Sequence, residues 1–427
     1  MASTYLSRTH GTSTNADKCT ISFWTKRGVI STDTHVPIAN YADSNNRAKI
    51  QFRIADNLEY FQVNSSSTTA QLRTNRVFRD VNAWYHIVFE FDTSQATASN
   101  RIKLYINGVQ ETSFEIETYP SQNLDVKLNE SSINLQIGQD GNSAGYFDGS
   151  MAHFHFIDGT AYDADTFGET DATTGIWKPK TAPSVTYGTN GFFLKFENSG
   201  SFGTDSSGNA NNFTVNGTMT QTIDTPSNVF ATLNGISGYG TFSNGNLKYT
   251  TTTTDGEWST STLSISTGGK WYCEAKMISV TGGAQYHIGI SNINSQNFTY
   301  RVLYRGDGAI YVGGSQTDTF SSYTTNDIIG MAYDASNRGI SFYKNGNLEG
   351  TLTAPALPAG GDYFFGCPSL SGGNTYVSEW NFGNGYFGTT AVTSGNADEN
   401  GLGIFEYIPP TGYYALCTKN LNEFAYD

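Results

Sequence analysis

The chain has 427 residues, 15% of them charged and 14% aromatic, with 46 glycines. Ordinary globular chains carry roughly 25% charge, so this composition favours strands and turns, and its supply of rings excludes a disordered polymer. Lys and Arg number 24 against 38 Asp and Glu, a net charge of −14 with no basic cluster, which excludes the cationic footprint that nucleic-acid binding needs.

Membrane insertion is not expected either, because no stretch approaches the roughly 18 consecutive apolar residues of a spanning helix. The opening Met1-Ala2-Ser3-Thr4-Tyr5 lacks the basic and apolar regions of a signal peptide. Cys19, Cys273, Cys367 and Cys417 are scattered without CxxC spacing. That predicts buried free thiols, with a pairing among the last three as the alternative.

In chain order, the first strong pattern is Trp84-Tyr85-His86-Ile87-Val88-Phe89-Glu90-Phe91-Asp92, followed by Arg101-Ile102-Lys103-Leu104-Tyr105-Ile106-Asn107-Gly108. Both alternate with period two and predict half-buried antiparallel strands, the second closing on an Asn-Gly turn. Asp163 to Phe167 predicts a single helical turn, the best helical candidate in the chain. Phe192-Phe193-Leu194-Lys195-Phe196 predicts a strand that folds back into the first domain, because its apolar face must be buried. The polar run from Asp205 to Asn212 and Pro226 then mark a connector. In the second half, Ile328-Ile329-Gly330-Met331-Ala332-Tyr333-Asp334 and Ile340-Ser341-Phe342-Tyr343-Lys344-Asn345-Gly346 repeat the order strand, polar turn, strand, Asn-Gly.

The echo predicts a shared architecture of two antiparallel sheets. The expected fold class is therefore all-β, two antiparallel β-sandwiches joined by a connector, with Trp84, Tyr105, Trp271 and Phe342 facing inward. Residues 1–216 form the first domain in this reading, 217–227 the connector, 228–399 the second domain and 400–427 an extended C-terminal tail.

Several residues bear on chemistry. Glu90 and Asp92 share a strand face, and glycoside hydrolysis needs two carboxylates roughly 5–9.5 Å apart. Ser94 stands where a third acid would continue the series, so a wet strand face with Asp92 starting a turn competes with that reading. His153 and His155 also share a face, as two ligands of one metal do, with Asp158 in the following turn and no obvious third ligand. Neither a Gly-x-Ser-x-Gly elbow nor a phosphate-binding loop leads into a helix, so nucleophilic catalysis and nucleotide use lack support. Tyr286, Tyr300, Tyr304, Tyr311 and Tyr323 gather in sequence around Arg301 and Arg305. Rings with one polar end suit a binding surface, while strand alternation would turn part of the set into the core.

Four motifs of the first half, Ser22-Phe23-Trp24-Thr25-Lys26-Arg27, Trp84-Tyr85-His86-Ile87-Val88, Leu104-Tyr105-Ile106-Asn107-Gly108 and Phe147-Asp148-Gly149-Ser150-Met151-Ala152, resemble the laminin G-like branch of the concanavalin A-like jelly rolls. In the second half, Lys270-Trp271-Tyr272-Cys273-Glu274, Ile288-Gly289-Ile290, the two strands named above and Asn381-Phe382-Gly383 follow the order of a SPRY domain. The opening Tyr5-Leu6-Ser7-Arg8-Thr9, the connector Asp224-Thr225-Pro226-Ser227-Asn228 and the ending Gly412-Tyr413-Tyr414-Ala415-Leu416-Cys417-Thr418 are similar to virion structural proteins of tailed, marine-type phages.

These resemblances imply a non-enzymatic protein localised to the virion, on a capsid or tail surface, adhering to host glycan or protein. The implied partners are other virion proteins and host surface glycans, with the chain as a homo-oligomer or in many copies. The ligand-binding candidates, drawn from the Tyr and Arg cluster above, are Tyr286, Tyr300, Arg301, Tyr304, Arg305 and Tyr311. Ca²⁺ is the one cofactor in view, since laminin G-like domains bind it at a sandwich edge and Asp140, Asn142 and Asp148 carry hard oxygen atoms. The alternatives are a carbohydrate-active enzyme on the first jelly roll and a cellular SPRY adaptor. The acidic excess implies contact through stacking, hydrogen bonds and bridging Ca²⁺ rather than through charge.

Overall fold

Strand alternation organises the chain into antiparallel ladders, grouped in two units, Met1–Gln221 and Thr222–Asp427. The computed structural model describes residues 4–30, 33–236, 240–251, 258–266, 268–280, 286–292, 298–368 and 375–425. As expected, the fold is all-β, and each unit is a sandwich of two sheets. Among the described residues the only α-helix is Thr418–Phe424, and Asp163 caps a short 3-10 turn at Ala164–Thr166.

In the first unit the larger sheet runs Phe114–Thr118, Ser67–Val77, Asn57–Asn64, Asn46–Phe52, His35–Asp43, Asn134–Ile137, Tyr5–Thr9, Thr214–Asn216. The smaller one runs Phe192–Leu194, Gly149–Asp158, Lys18–Arg27, Tyr85–Asp92, Ile102–Ile106, Val109–Glu111. Phe192 and Leu194 do enter this core, beside Phe154 and Phe156. The outer face of the smaller sheet is also covered, since Val88 and Ile157 pack under Ala164 and Phe167, with Tyr162, Trp177 and Tyr187 alongside. Trp177 Nε1 donates to His86 Nδ1 at 2.9 Å, which leaves the His86 Nε2–H to donate to Ser22 Oγ at 2.9 Å. Burial drives the His86 pKa down to about 3, so this ring is a neutral structural link.

The echo between the units is real in geometry. Asn107-Gly108 and Asn345-Gly346 both have positive φ, 49° and 81° in the first pair and 48° and 81° in the second. Two successive residues with positive φ make the turn whose twist matches a tight hairpin. Each Asn Oδ1 also accepts a strand N–H, from His86 at 2.7 Å and from Ile328 at 2.8 Å.

Trp271 and Phe342 lie in the second core, as expected, and Trp84 is buried. Tyr105 differs. Leu104 and Ile106 point into the core, so Tyr105 must point the other way, where its hydroxyl donates to Glu90 Oε2 at 2.9 Å.

The four cysteines are free and buried. Of residues 400–427, expected as an extended tail, the described part, 400–425, is docked within the second unit. Tyr414–Ala415 pairs in parallel with Trp271 and Tyr272, and Phe405, Ala415, Leu416 and Cys417 are buried. Two carboxylates hold this segment. Asp398 accepts the N–H groups of Asn400, Leu402 and Ala415 and Asn420 Nδ2, and Glu274 accepts those of Glu406 and Tyr407. Turn-rich composition suggests a free tail, but buried acceptors for its backbone donors give it a fixed place.

Candidate functional site

The segment Arg47-Ala48-Lys49-Ile50-Gln51-Phe52-Arg53 alternates without a break. Ala48, Ile50 and Phe52 enter the core, which places Arg47, Lys49, Gln51 and Arg53 on the outer face of the larger sheet. By the same rule Leu58 and Tyr60 send Glu59 and Phe61 outward, and Ala70 and Leu72 send Gln71 and Arg73 outward. Strand register then aligns these residues in two rows, Lys49 opposite Phe61 opposite Gln71, and Gln51 opposite Glu59 opposite Arg73. Strands lie about 4.8 Å apart, so each row spans about 10 Å. With Asp33, Thr34 and the turn Asp140–Gly145 as walls, the rows floor a cleft of about 360 Å³.

Glu59 organises the floor. Its Oε1 accepts from Gln71 Nε2 at 2.7 Å and Arg73 Nε at 2.8 Å, and its Oε2 from Gln51 Nε2 and from Arg53 at 3.2 Å. Burial raises its pKa, but the hydrogen bonds and the charge of Arg53 outweigh that, and the net shift is downward. Glu59 is thus a fixed anion. Both glutamines donate their Nε2 to it, which fixes their amide groups and leaves each Oε1 as an acceptor not used by Glu59. Phe61, half-buried, offers a ring beside them, with the Arg47 guanidinium 5.8 Å from its centre. The site can therefore present oriented acceptors, an aromatic face and cations to a polar ligand with an apolar side.

The expected calcium residues play other parts. Asp140 Oδ1 accepts the N–H groups of Asn142 at 2.8 Å and Ala144 at 3.2 Å, which makes it a turn former in the cleft wall. Asn142 is exposed. Asp148 packs against Gly28, and burial raises its pKa, which disfavours the charged form that a hard cation needs. Among the described residues no three His, Cys, Asp or Glu side chains converge as metal ligands would.

The other early candidates belong to the smaller sheet. Glu90 is engaged by Lys103 Nζ at 2.9 Å and by Tyr105, and Asp92 by Lys18 at 3.1 Å and Gln95 Nε2 at 2.8 Å. A bulge between Ala152 and His155 breaks the shared face of the two histidines, with His153 at a φ of 47°. His155 is buried against Phe193, and its Nδ1 pairs with the Tyr187 hydroxyl at 2.9 Å. Asp158 is a structural acceptor, taking the N–H groups of Thr14 at 2.8 Å and Asn190 at 3.0 Å.

In the second unit the Tyr and Arg set does not form one surface. Tyr286, Tyr304 and Tyr323 sit in the core, where the Tyr286 hydroxyl donates to the Tyr323 carbonyl and the Tyr304 hydroxyl to that of Ser321. Arg301 and Arg305 flank Tyr304 on one strand at odd positions, so they leave by the opposite face. Arg301 is buried there with its guanidinium 5.3 Å from the Trp258 ring centre. Arg305 pairs with Asp307 at 2.6 Å and lies 5.2 Å from the Tyr311 ring centre. Tyr300 is half-buried in the turn before the strand. Partial exposure remains for Tyr300, Arg305 and Tyr311 alone.

Apart from Asp140, expected as a calcium residue and found in the cleft wall, none of the cleft residues was singled out from sequence. Alternation marks Arg47 to Arg53 as a strand with one wet face, but which wet faces stand side by side is a matter of register.

Residues 2–165, a span containing every residue of the cleft, match the concanavalin A-like lectin/glucanases superfamily. No curated protein matches the chain. Among solved structures it is similar to the SPRY domain of human HERC1, at 21% identity and a TM-score of 0.28, over 31% of this chain and 87% of that one. It is similar also to a heptameric SAP-like pentraxin from Limulus polyphemus, at 16% identity and a TM-score of 0.27, over 36% of this chain and 69% of that one. Domains LG4-5 of the mouse laminin alpha1 chain align over 97% of this chain and 85% of that one, at 8% identity and a TM-score of 0.29. The first unit is thus a concanavalin A-like sandwich with a polar cleft on the outer face of its larger sheet.

Proposed function

We propose that the chain is a non-enzymatic glycan-recognition protein that binds a saccharide in the cleft of its first sandwich. The observation that carries this reading is the pair of glutamine amides in the cleft lining, held by their bonds to Glu59, beside the half-buried ring of Phe61. A sugar ring has hydroxyl groups that donate to fixed acceptors and a C–H face that packs on an aromatic ring, and a site of both kinds suits it. The family match of residues 2–165 supports the same ligand class.

Binding without cleavage is favoured by the state of the carboxylates. A glycosidase needs a protonated acid beside a second carboxylate, whereas Glu59 is held ionised by its donors and Glu90 is engaged by Lys103 and Tyr105. Display in many copies on a phage particle, as adhesion or decoration protein, is the setting we attach to this function on sequence resemblance alone. Many copies would turn weak single-site binding into firm attachment.

A glycan array probed with the whole chain and with Phe61→Ala tests the reading. Binding that falls about ten-fold or more in Phe61→Ala is expected from the loss of a stacking platform. Equal binding by both proteins to every glycan would place recognition elsewhere. Mass spectrometry of purified particles tests the setting, and absence of the chain from them would remove it.

A further inference from the structure

We infer that the cleft takes an acidic saccharide, with the ligand's carboxylate or sulfate held by Lys49 and flanked by Arg47 and Arg53. The inference rests on the glycan reading above and adds the charge of the ligand. Its basis is an imbalance of donors and acceptors. All three carboxylates around the cleft are engaged within the chain. Glu59 takes four side-chain partners, Gln51, Arg53, Gln71 and Arg73. Asp140 Oδ1 takes two backbone N–H groups, and Asp33 Oδ1 takes that of Thr34 at 2.7 Å.

The cations are not engaged to the same degree. Lys49 has no ion pair among the described residues, although it stands on the cleft floor between Ala39 and Phe61. Arg47 donates only to the Ser44 carbonyl, and Arg53 gives one bond to Glu59 and leaves 41% of its side chain exposed. A guanidinium has five N–H donors and an ammonium three, so most of these hydrogens have no acceptor among the described residues and are open to a ligand at the cleft that the three residues line. Burial pulls the Lys49 pKa down, and Arg47 and Arg53 add to that, so the loss of water and the neighbouring cations outweigh the opposing charges of Asp140 and Glu59. Arg47 and Lys49 are two residues apart on one strand face, about 7 Å, so one anionic group can meet both. A neutral sugar would leave these donors without acceptors, and that desolvation is costly. An anion supplies two or three acceptors of the right charge and forms the stronger class of hydrogen bond. The net charge of −14 does not oppose this at short range, because screening limits distant charges to about 10 Å at ordinary salt.

The test uses the whole chain and matched oligosaccharides. Uronate oligomers are set beside their methyl esters, and sulfated oligomers beside their desulfated forms, which separates carboxylate from sulfate as the group recognised. We expect the acidic member of at least one pair to bind about ten-fold more tightly than its neutral partner, with the advantage shrinking as salt rises. Lys49→Gln should abolish the advantage and Lys49→Arg should keep it, with melting curves confirming that both variants are folded. Acidic and neutral members bound equally, or not at all, would overturn the inference, as would an advantage that persists in Lys49→Gln. If neutral members still bind in a Phe61-dependent manner in that case, the glycan reading survives. Binding of every probe unaffected by Phe61→Ala would sink both.

Discussion

Glu59 and Glu274 are both buried carboxylates on sandwich strands, and each accepts hydrogen bonds from four residues. Glu59 takes them from Gln51, Arg53, Gln71 and Arg73, and Glu274 from Tyr272, Asn381, Glu406 and Tyr407. Their pKa values nevertheless move in opposite directions. Burial raises both, but at Glu59 the bonds from Gln71, Gln51 and Arg73 and the charge of Arg53 outweigh it and the net shift is downward, whereas Glu274, with only neutral donors, is pushed up to about 7. Four donors are thus not enough by themselves to keep a buried carboxylate ionised, and the balance between burial and the strength of the donors decides. The contrast also separates two roles. Glu59 positions a binding floor, and Glu274 fastens the C-terminal segment to its own unit.

The largest expected effect breaks the second of these. Glu274→Ala leaves the N–H groups of Glu406 and Tyr407 without an acceptor in a buried site, and should cost about 3–5 kcal/mol. Chemical denaturation followed by tryptophan fluorescence measures it, and a loss below about 1 kcal/mol would mean that the tail is held by other contacts.

Titration sharpens the contrast, because the signs differ. The folded-state pKa of Glu274 is raised, so its contribution is fully present below about pH 4.5 and is lost as pH rises toward 7. At about 1.4 kcal/mol per unit, the change amounts to roughly 3 kcal/mol. Glu59, with a lowered pKa, contributes in the other direction, present above the usual carboxylate range and lost as pH falls through it. Melting curves across this range should therefore flatten on the neutral side in Glu274→Gln and on the acid side in Glu59→Gln. The same flattening in both variants would refute the assignment.

At neutral pH Glu59→Gln should cost about 2 kcal/mol, since it removes the charge from bonds to Arg73 and Arg53 but keeps an acceptor. Phe61→Ala should change stability by less than about 1 kcal/mol, as the ring is only half-buried, while weakening saccharide binding. A Phe61→Ala protein that unfolds would show the ring to be a core residue instead.

Much of the fold is legible in the chain. Period-two alternation marks the strands, and Asn107-Gly108 and Asn345-Gly346 mark the two hairpins, because both signals are local and follow from backbone sterics. Parity alone would have turned Tyr105 outward from Leu104 and Ile106, and separated Tyr304 from Arg301 and Arg305. Alternation is a stronger guide than composition at these positions, because it follows from backbone geometry. The docking of residues 400–425 is different in kind, since it depends on Glu274 and Asp398 finding donors far along or across the chain.

The cleft lies beyond local signals altogether. Arg47, Lys49, Gln51 and Arg53 announce a wet strand face, and so do Glu59 with Phe61 and Gln71 with Arg73, but each face alone is ordinary. Register set by pairings across three strands puts Phe61 between Lys49 and Gln71, and Glu59 between Gln51 and Arg73. Only then does a chain of net charge −14 gather Arg47, Lys49 and Arg53 at one cleft, enough to balance Asp33, Glu59 and Asp140 there. Composition sums charge over the whole molecule, while a ligand meets only the few groups within a screening length of its own.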